Sequence, residues 1–252
     1  MKYGVCIGSD HTKIAKAKEA GFDYVETGFA MLAKTDETEY ELFRGELEKA
    51  GIFCESANCF IPGEMKTTGD NIDYEALAEY IDRGMSRGKK LGLETVVFGS
   101  GGSRSVPEGF PFYKAFQQLR YFLRETVSPI AEKYGITVVV EPLCDCNIMR
   151  TVKEGVGLAA AVDKANVKGL GDLFHMCEMA DTTADIRDVK GAIGHAHIAE
   201  PHSRVYPTDA SKYDYKSFTD ALEYAGCPRC SVEAGTDDFD RDAVLAAKVL
   251  KG

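Results

Sequence analysis

Apolar positions along this chain alternate between two rhythms. Short runs rich in β-branched and aromatic residues are each followed by a longer stretch in which apolar positions recur every three or four residues. The short runs predict strands: YGVCIG from Tyr3, YVETGF from Tyr24, FCESANC from Phe53, TVVFGS from Thr95, TVVVEPL from Thr137, VKGLGDLFHM from Val167, IGHAHIAE from Ile193 and CSVEAG from Cys230. The stretches between them predict helices: TKIAKAKEAG, ETEYELFRGELEKAG, YEALAEYIDRGMSRGKKLG, FYKAFQQLRYFLRETVSPIAEKYG, VKEGVGLAAAVDKA, a shorter ADIRDVKGA, YKSFTDALEYAG and DRDAVLAAKVLKG. Glycine stands at the close of five of them, at 21, 51, 92, 135 and 226, where a left-handed residue ends a helix.

Eight such units in 252 residues fit one (β/α)8 TIM barrel spanning residues 1–252, and no linker or change of composition marks a second domain. A doubly wound sheet would carry a glycine-rich phosphate turn after its first strand, and GSDHTK has no G-x-G-x-x-G. In a barrel the chemistry sits at the C-terminal strand ends. Those ends in the second half carry Glu141, Asp172, His197 and Glu233, each set among apolar neighbours. A buried carboxylate is costly unless a cation or hydrogen bonds compensate it. Four such groups converging on one barrel mouth therefore need a common partner, and a divalent ion supplies it. Three carboxylates with one imidazole suit manganese, magnesium or cobalt, and accommodate zinc.

Composition narrows the partners. The chain is 44% hydrophobic and 28% charged, and its 30 Lys and Arg against 40 Asp and Glu give a net charge of −10. That balance repels polyanions and weighs against nucleic acid. The apolar run in MKYGVCIGSDH is too short for a secretory signal, and no stretch approaches a membrane span, so the expectation is a cytoplasmic protein with no membrane partner. Eight cysteines scattered through apolar segments are expected to be reduced, and CPRC at 227–230 is a lone CxxC without a second pair.

The segments VVVEPL, GDLFHM, IGHAHIAE and SVEAG resemble the strand ends of the xylose isomerase-like sugar phosphate isomerase/epimerase superfamily, close in style to its ketose 3-epimerases. The resemblance covers nearly the whole chain and includes VVFGSGGSRSVPEGFP, which is similar to the family's loop after the fourth strand. It implies that Glu141, Asp172, His197 and Glu233 ligate the metal, that Glu141 and Glu233 also act as acid and base, and that His175 and Arg204 hold substrate oxygens. It further implies a divalent-metal-dependent isomerase or epimerase that abstracts a proton next to a carbonyl of a small ketose or related polyol, through an enediolate. The implied partner is a small sugar, and homo-oligomers are common in the family. Two departures stand out. The family's second glutamate after Glu-Pro-Leu is missing from EPLCDCNIMRT, which offers Asp145 and Asn147, and Arg204 falls one place later than the family pattern.

Rival readings of the same site are a dehydratase of a cyclic polyol ketone, an AP endonuclease-like nuclease and a non-catalytic carbohydrate-binding protein. Four of the five histidines fall between residues 175 and 202. His195 and His197 share a strand face, so His195 lies one layer below His197 and is either an outer partner of the ligands or a satisfied core histidine. His202 reads as loop surface. Glu26 and His11 reach either the barrel mouth or a helix cap and the surface. SGGSR at 100–104 offers backbone N–H groups and Arg104 to an anion, although the usual phosphate site of a barrel follows strands seven and eight.

Overall fold

The computed structural model describes Met1–Gly252. Eight parallel strands close into one barrel: β1 (Lys2–Cys6), β2 (Tyr24–Gly28), β3 (Phe53–Asn58), β4 (Thr95–Phe98), β5 (Thr137–Val140), β6 (Val167–Asp172), β7 (Ile193–Ile198) and β8 (Arg229–Val232). Closure comes from β1 pairing with β8, Lys2 against Arg229 through Val5 against Val232. Every predicted strand is present and in order. The predicted glycines all adopt positive φ, and four of them are the left-handed caps themselves, whereas Leu91 caps the helix before Gly92.

Two boundaries differ from the sequence reading. The run VKGLGDLFHM is a strand only to Asp172, and a helix, Leu173–Glu178, starts inside it because the Asp172 side chain accepts from the His175 N–H and caps it. The stretch from Phe112 to Tyr134 is interrupted at Phe122–Val127 by a π-helical turn that ends two residues before Pro129, which has no N–H to donate into an α-helical ladder.

The main hydrophobic core lies between strands and helices. The barrel interior is different: its apolar content is a small cluster, Val97, Val139 and Leu170, and the rest is polar. At the N-terminal end Lys2, Arg229, Glu55 and Glu94 form an ion-paired plug. One layer up, Tyr24, Ser231, Ser56, His195 and Glu26 are joined by hydrogen bonds. The two-residue period then carries the next side chain of each strand to the open C-terminal end. No helix is long and apolar enough to cross a membrane.

Candidate active site

The structure brings Glu141, Asp172, His197 and Glu233 together at that end, with one donor atom from each lying within 4.8 Å of the others. Each is aimed by a separate contact. Asp172 spends Oδ1 on the His175 N–H at 2.9 Å, which leaves Oδ2 facing His197 Nδ1 at 3.8 Å. Glu141 lies with Oε1 2.9 Å from His197 Nδ1, and its Oε2 occupies space that exists only because residue 99 is glycine: a Cβ there would sit 1.6 Å from it. Glu233 accepts from Asn58 Nδ2 at 2.8 Å through Oε1 and from Arg204 at 2.9 Å through Oε2.

Glu26 is neither a cap nor a surface group: it is fully buried beneath the site. Its Oε1 lies 2.9 Å from His197 Nε2, and its Oε2 takes His195 Nε2 at 2.9 Å and the Ser231 hydroxyl at 2.7 Å. His195 and His197 thus point the same way, as their spacing requires, and both are held by one carboxylate. Burial opposes ionisation of Glu26, but the His197 and His195 rings outweigh it and keep its pKa well below the carboxylate range. With Nε2 committed to Glu26, His197 presents Nδ1 to the three carboxylates.

Burial likewise opposes a charged His197, and Glu233, Glu26 and Glu141 overcome it, raising the ring well above the usual histidine value. Burial, then the charges of Glu141 and Glu233, push Asp172 up to about 8, and burial followed by Glu233 raises Glu141. Such a cluster is short of positive charge. A divalent ion among these donors would meet the demand, and the set of three carboxylate oxygens and one imidazole nitrogen with a fixed tautomer suits a hard or borderline cation.

A cavity of about 390 Å³ opens above the cluster, lined by Glu141, Glu233, His175, Arg204, Asp145 and the Gly101–Gly102 backbone among others. His175 reaches it from the helix after β6. Its Nδ1 accepts from the Cys144 N–H at 3.2 Å, and its buried Nε2 has no partner. Burial, followed by Arg204, lowers the ring to about 4, so it is neutral with its proton on Nε2. Arg204 is held in a left-handed backbone conformation, φ 52°, stacks over Phe174 and pairs with Glu233.

Other expectations end differently. Arg104 does not face an anion: its buried guanidinium donates to the carbonyls of Phe98 at 2.6 Å, Glu141 at 2.5 Å and Met149 at 3.4 Å, so it braces the β4 and β5 loops. Cys227 and Cys230 are buried at the N-terminal end of the barrel, and burial raises both thiols, Cys227 to about 12, so CPRC is packing. His202 is exposed. Asn147 does not enter the cavity, because it clamps Val106 by accepting from its N–H and donating to its carbonyl, both at 2.9 Å. Asn58 and Gly99 were missed by reading strand ends in the second half alone. Asn58 ends FCESAN and reaches Glu233, the residue just after β8, and the same period would have found it.

A family model described as xylose isomerase-like TIM barrel matches residues 14–251. Among curated proteins, the D-psicose 3-epimerase of Agrobacterium fabrum is 26% identical over 200 residues, 76% of this chain and 68% of that protein. Among solved structures, the D-allulose 3-epimerase of a Methylomonas species in complex with D-allulose superposes with a TM-score of 0.85 at 19% identity, covering 100% of this chain and 96% of that one. The 3-keto-D-glucoside 4-epimerase of E. coli gives a TM-score of 0.81 at 20% identity over 100% and 98% of the two chains.

Proposed function

Since the chain belongs to the xylose isomerase-like TIM barrel family, we propose that it is a divalent-metal-dependent epimerase or isomerase of a small, uncharged ketose or related polyol. The observation that carries this reading is the convergence of Glu141, Asp172, His197 and Glu233 beneath a cavity large enough for a sugar. The relative from Agrobacterium fabrum is named for the same class of reaction. The four residues would hold the ion, which when bound acts as a Lewis acid on a carbonyl oxygen.

The chain's own groups supply the rest. Glu141 and Glu233 come from strands on different sides of the barrel, and each keeps an oxygen near the cavity. One removes the proton from the carbon next to the carbonyl and the other returns a proton to the opposite face, which inverts the centre. Asn58 and Arg204 fix the Glu233 carboxylate, and the space at Gly99 fixes that of Glu141. The neutral His175 offers its Nε2–H to a substrate oxygen, and Arg204 lies beside it. The substrate is uncharged because the wall is acidic: Glu141, Asp145 and Glu233 line it, Arg204 is already paired, and Arg104 is spent on carbonyls. The same wall disfavours a nucleic acid.

The test is a panel of ketoses, ketose phosphates and cyclic polyol ketones, incubated with the manganese-loaded protein in deuterated water and followed by NMR. Deuterium should enter one carbon of an unphosphorylated ketose as its epimer or isomer forms. Exchange only into phosphorylated substrates would overturn the uncharged-substrate reading, and no exchange into any would overturn the enzyme. Glu141→Gln and Glu233→Gln should each lose about 10²- to 10⁴-fold in turnover, the scale of a positioned acid or base, while keeping much of the metal.

A further inference from the structure

The cavity wall carries a second group of donor atoms: the epimerase reading uses His175 only through Nε2, and leaves its Nδ1 and the Cys144 thiol without a task. Cys144, Asp145 and His175 each bring one ligand atom within 4.8 Å of the other two, and Cys144 Sγ is 3.1 Å from His175 Nδ1. We propose that these three residues form a separate binding site for a sulfur-seeking divalent ion of the zinc and cadmium class.

The geometry supports it from both sides of the thiol. The Cys144 N–H donates to Nδ1, which fixes the ring proton on Nε2, and an ion seated between Nδ1 and the sulfur 3.1 Å away would take that lone pair over from the N–H. Zinc bonds of about 2.3 Å to sulfur and 2.0–2.1 Å to nitrogen place those atoms about 3.5 Å apart at a tetrahedral angle. The 3.1 Å seen here opens to that with a shift of a few tenths of an ångström. Both donors are already held: His175 is 2% exposed and anchored through its own N–H to Asp172, and the Cys144 carbonyl accepts from Arg150 at 3.0 and 3.3 Å. Asp145 is exposed and lines the cavity, so it can swing in as a third ligand and leave a fourth position toward the open space.

A nucleophilic role for the pair does not fit. Burial raises the Cys144 thiol and lowers the imidazole to about 4, so the resting pair is neutral with its proton on sulfur. On metal binding that proton leaves to solvent as the sulfur–metal bond forms, with no redox change. The two sites sort ions by softness, carboxylates taking manganese or magnesium and the thiol taking zinc or cadmium. An ion at Cys144 would fix the ring that faces the substrate space.

Cadmium is the probe, added to reduced protein whose carboxylate site has been filled with manganese. The wild type should bind one cadmium per chain with the near-ultraviolet absorption of a cadmium–thiolate bond, and bound cadmium should shield Cys144 from a thiol reagent, as read by peptide mass. Cys144→Ser should abolish the band, Cys146→Ser should keep it, and Asp145→Asn should weaken cadmium binding by at least about tenfold, the lower bound for losing even an outer partner of a metal. Cadmium that displaces manganese from the carboxylates meets the Cys6 thiol beside His197 and Glu233, and a band from there survives Cys144→Ser, so that variant separates the two sites whatever becomes of the epimerase reading. A wild type without the band, or a band that survives Cys144→Ser or is lost in Cys146→Ser, would overturn the proposal. Should Cys144→Ser fail to fold, unchanged cadmium affinity in Asp145→Asn at its exposed position would overturn it as well.

Discussion

Glu26 shows how much one side chain can organise. A single buried carboxylate holds two imidazoles and a serine hydroxyl, and it thereby chooses which nitrogen of His197 faces the site. Glu26→Gln keeps the shape but not the charge. It should cost on the order of 3 kcal/mol in denaturant unfolding, at the lower end for breaking a buried pair, and should lower metal affinity by about 10- to 100-fold. Wild-type stability and metal content in that variant would reduce Glu26 to a packing group. Gly99 acts by absence. In Gly99→Ala the new methyl meets Glu141 Oε2, the carboxylate must rotate away, and turnover should fall by about 10²-fold or more while the melting temperature moves little. Neither role was legible in the sequence: a lone glutamate in YVETGF gives no sign that its partners lie on β7, and Gly99 has meaning only once β4 and β5 are paired.

At the scale of elements, what the chain could disclose was its period. Strand and helix rhythms alternate cleanly enough that all eight strands and their order follow from counting, and the strand-end rule then brings Glu141, Asp172, His197 and Glu233 to one mouth. What it hid were transitions without a polar break. Leu173–Glu178 begins inside an apolar run, so His175 belongs to a helix rather than a strand end, and only the capping bond from Asp172 marks the change. The loop after β4 is a similar case, since its far end at Val106 is tied down by two hydrogen bonds with Asn147, a contact across 41 residues. Because those bonds are exposed, Asn147→Ala should cost no more than about 1 kcal/mol in global stability. It should raise the Michaelis constant more than it changes turnover, and hydrogen exchange should speed up selectively around residues 105–110. Uniform exchange across the chain would mean that the loop is held by other contacts.

For the molecule as a whole, the polar barrel interior links stability, protons and metal. A (β/α)8 barrel filled with Val, Ile and Leu would be stable at any pH compatible with its surface, whereas here three carboxylates and a histidine share one end of it. Asp172 is raised from about 3.8 to about 8, chiefly by burial. A group raised on folding contributes stability that is fully present below its unfolded value and is lost as pH rises through the folded one. Protein stripped of divalent ions with a chelator should therefore lose stability between about pH 4 and pH 8 on account of Asp172. His197, raised well above its ordinary value by the surrounding carboxylates, acts in the same direction and extends the loss to higher pH. A divalent ion held there would take the place of those protons and restore the balance of charge. The gain in melting temperature on adding manganese should accordingly be small near pH 6 and grow toward pH 8.5. Titration calorimetry in two buffers of different ionisation enthalpy should show protons released on binding, more of them at the lower pH. A gain that does not vary with pH, together with heats that do not depend on the buffer, would place the ion on groups other than Asp172 and His197 and so remove the site on which the epimerase reading stands.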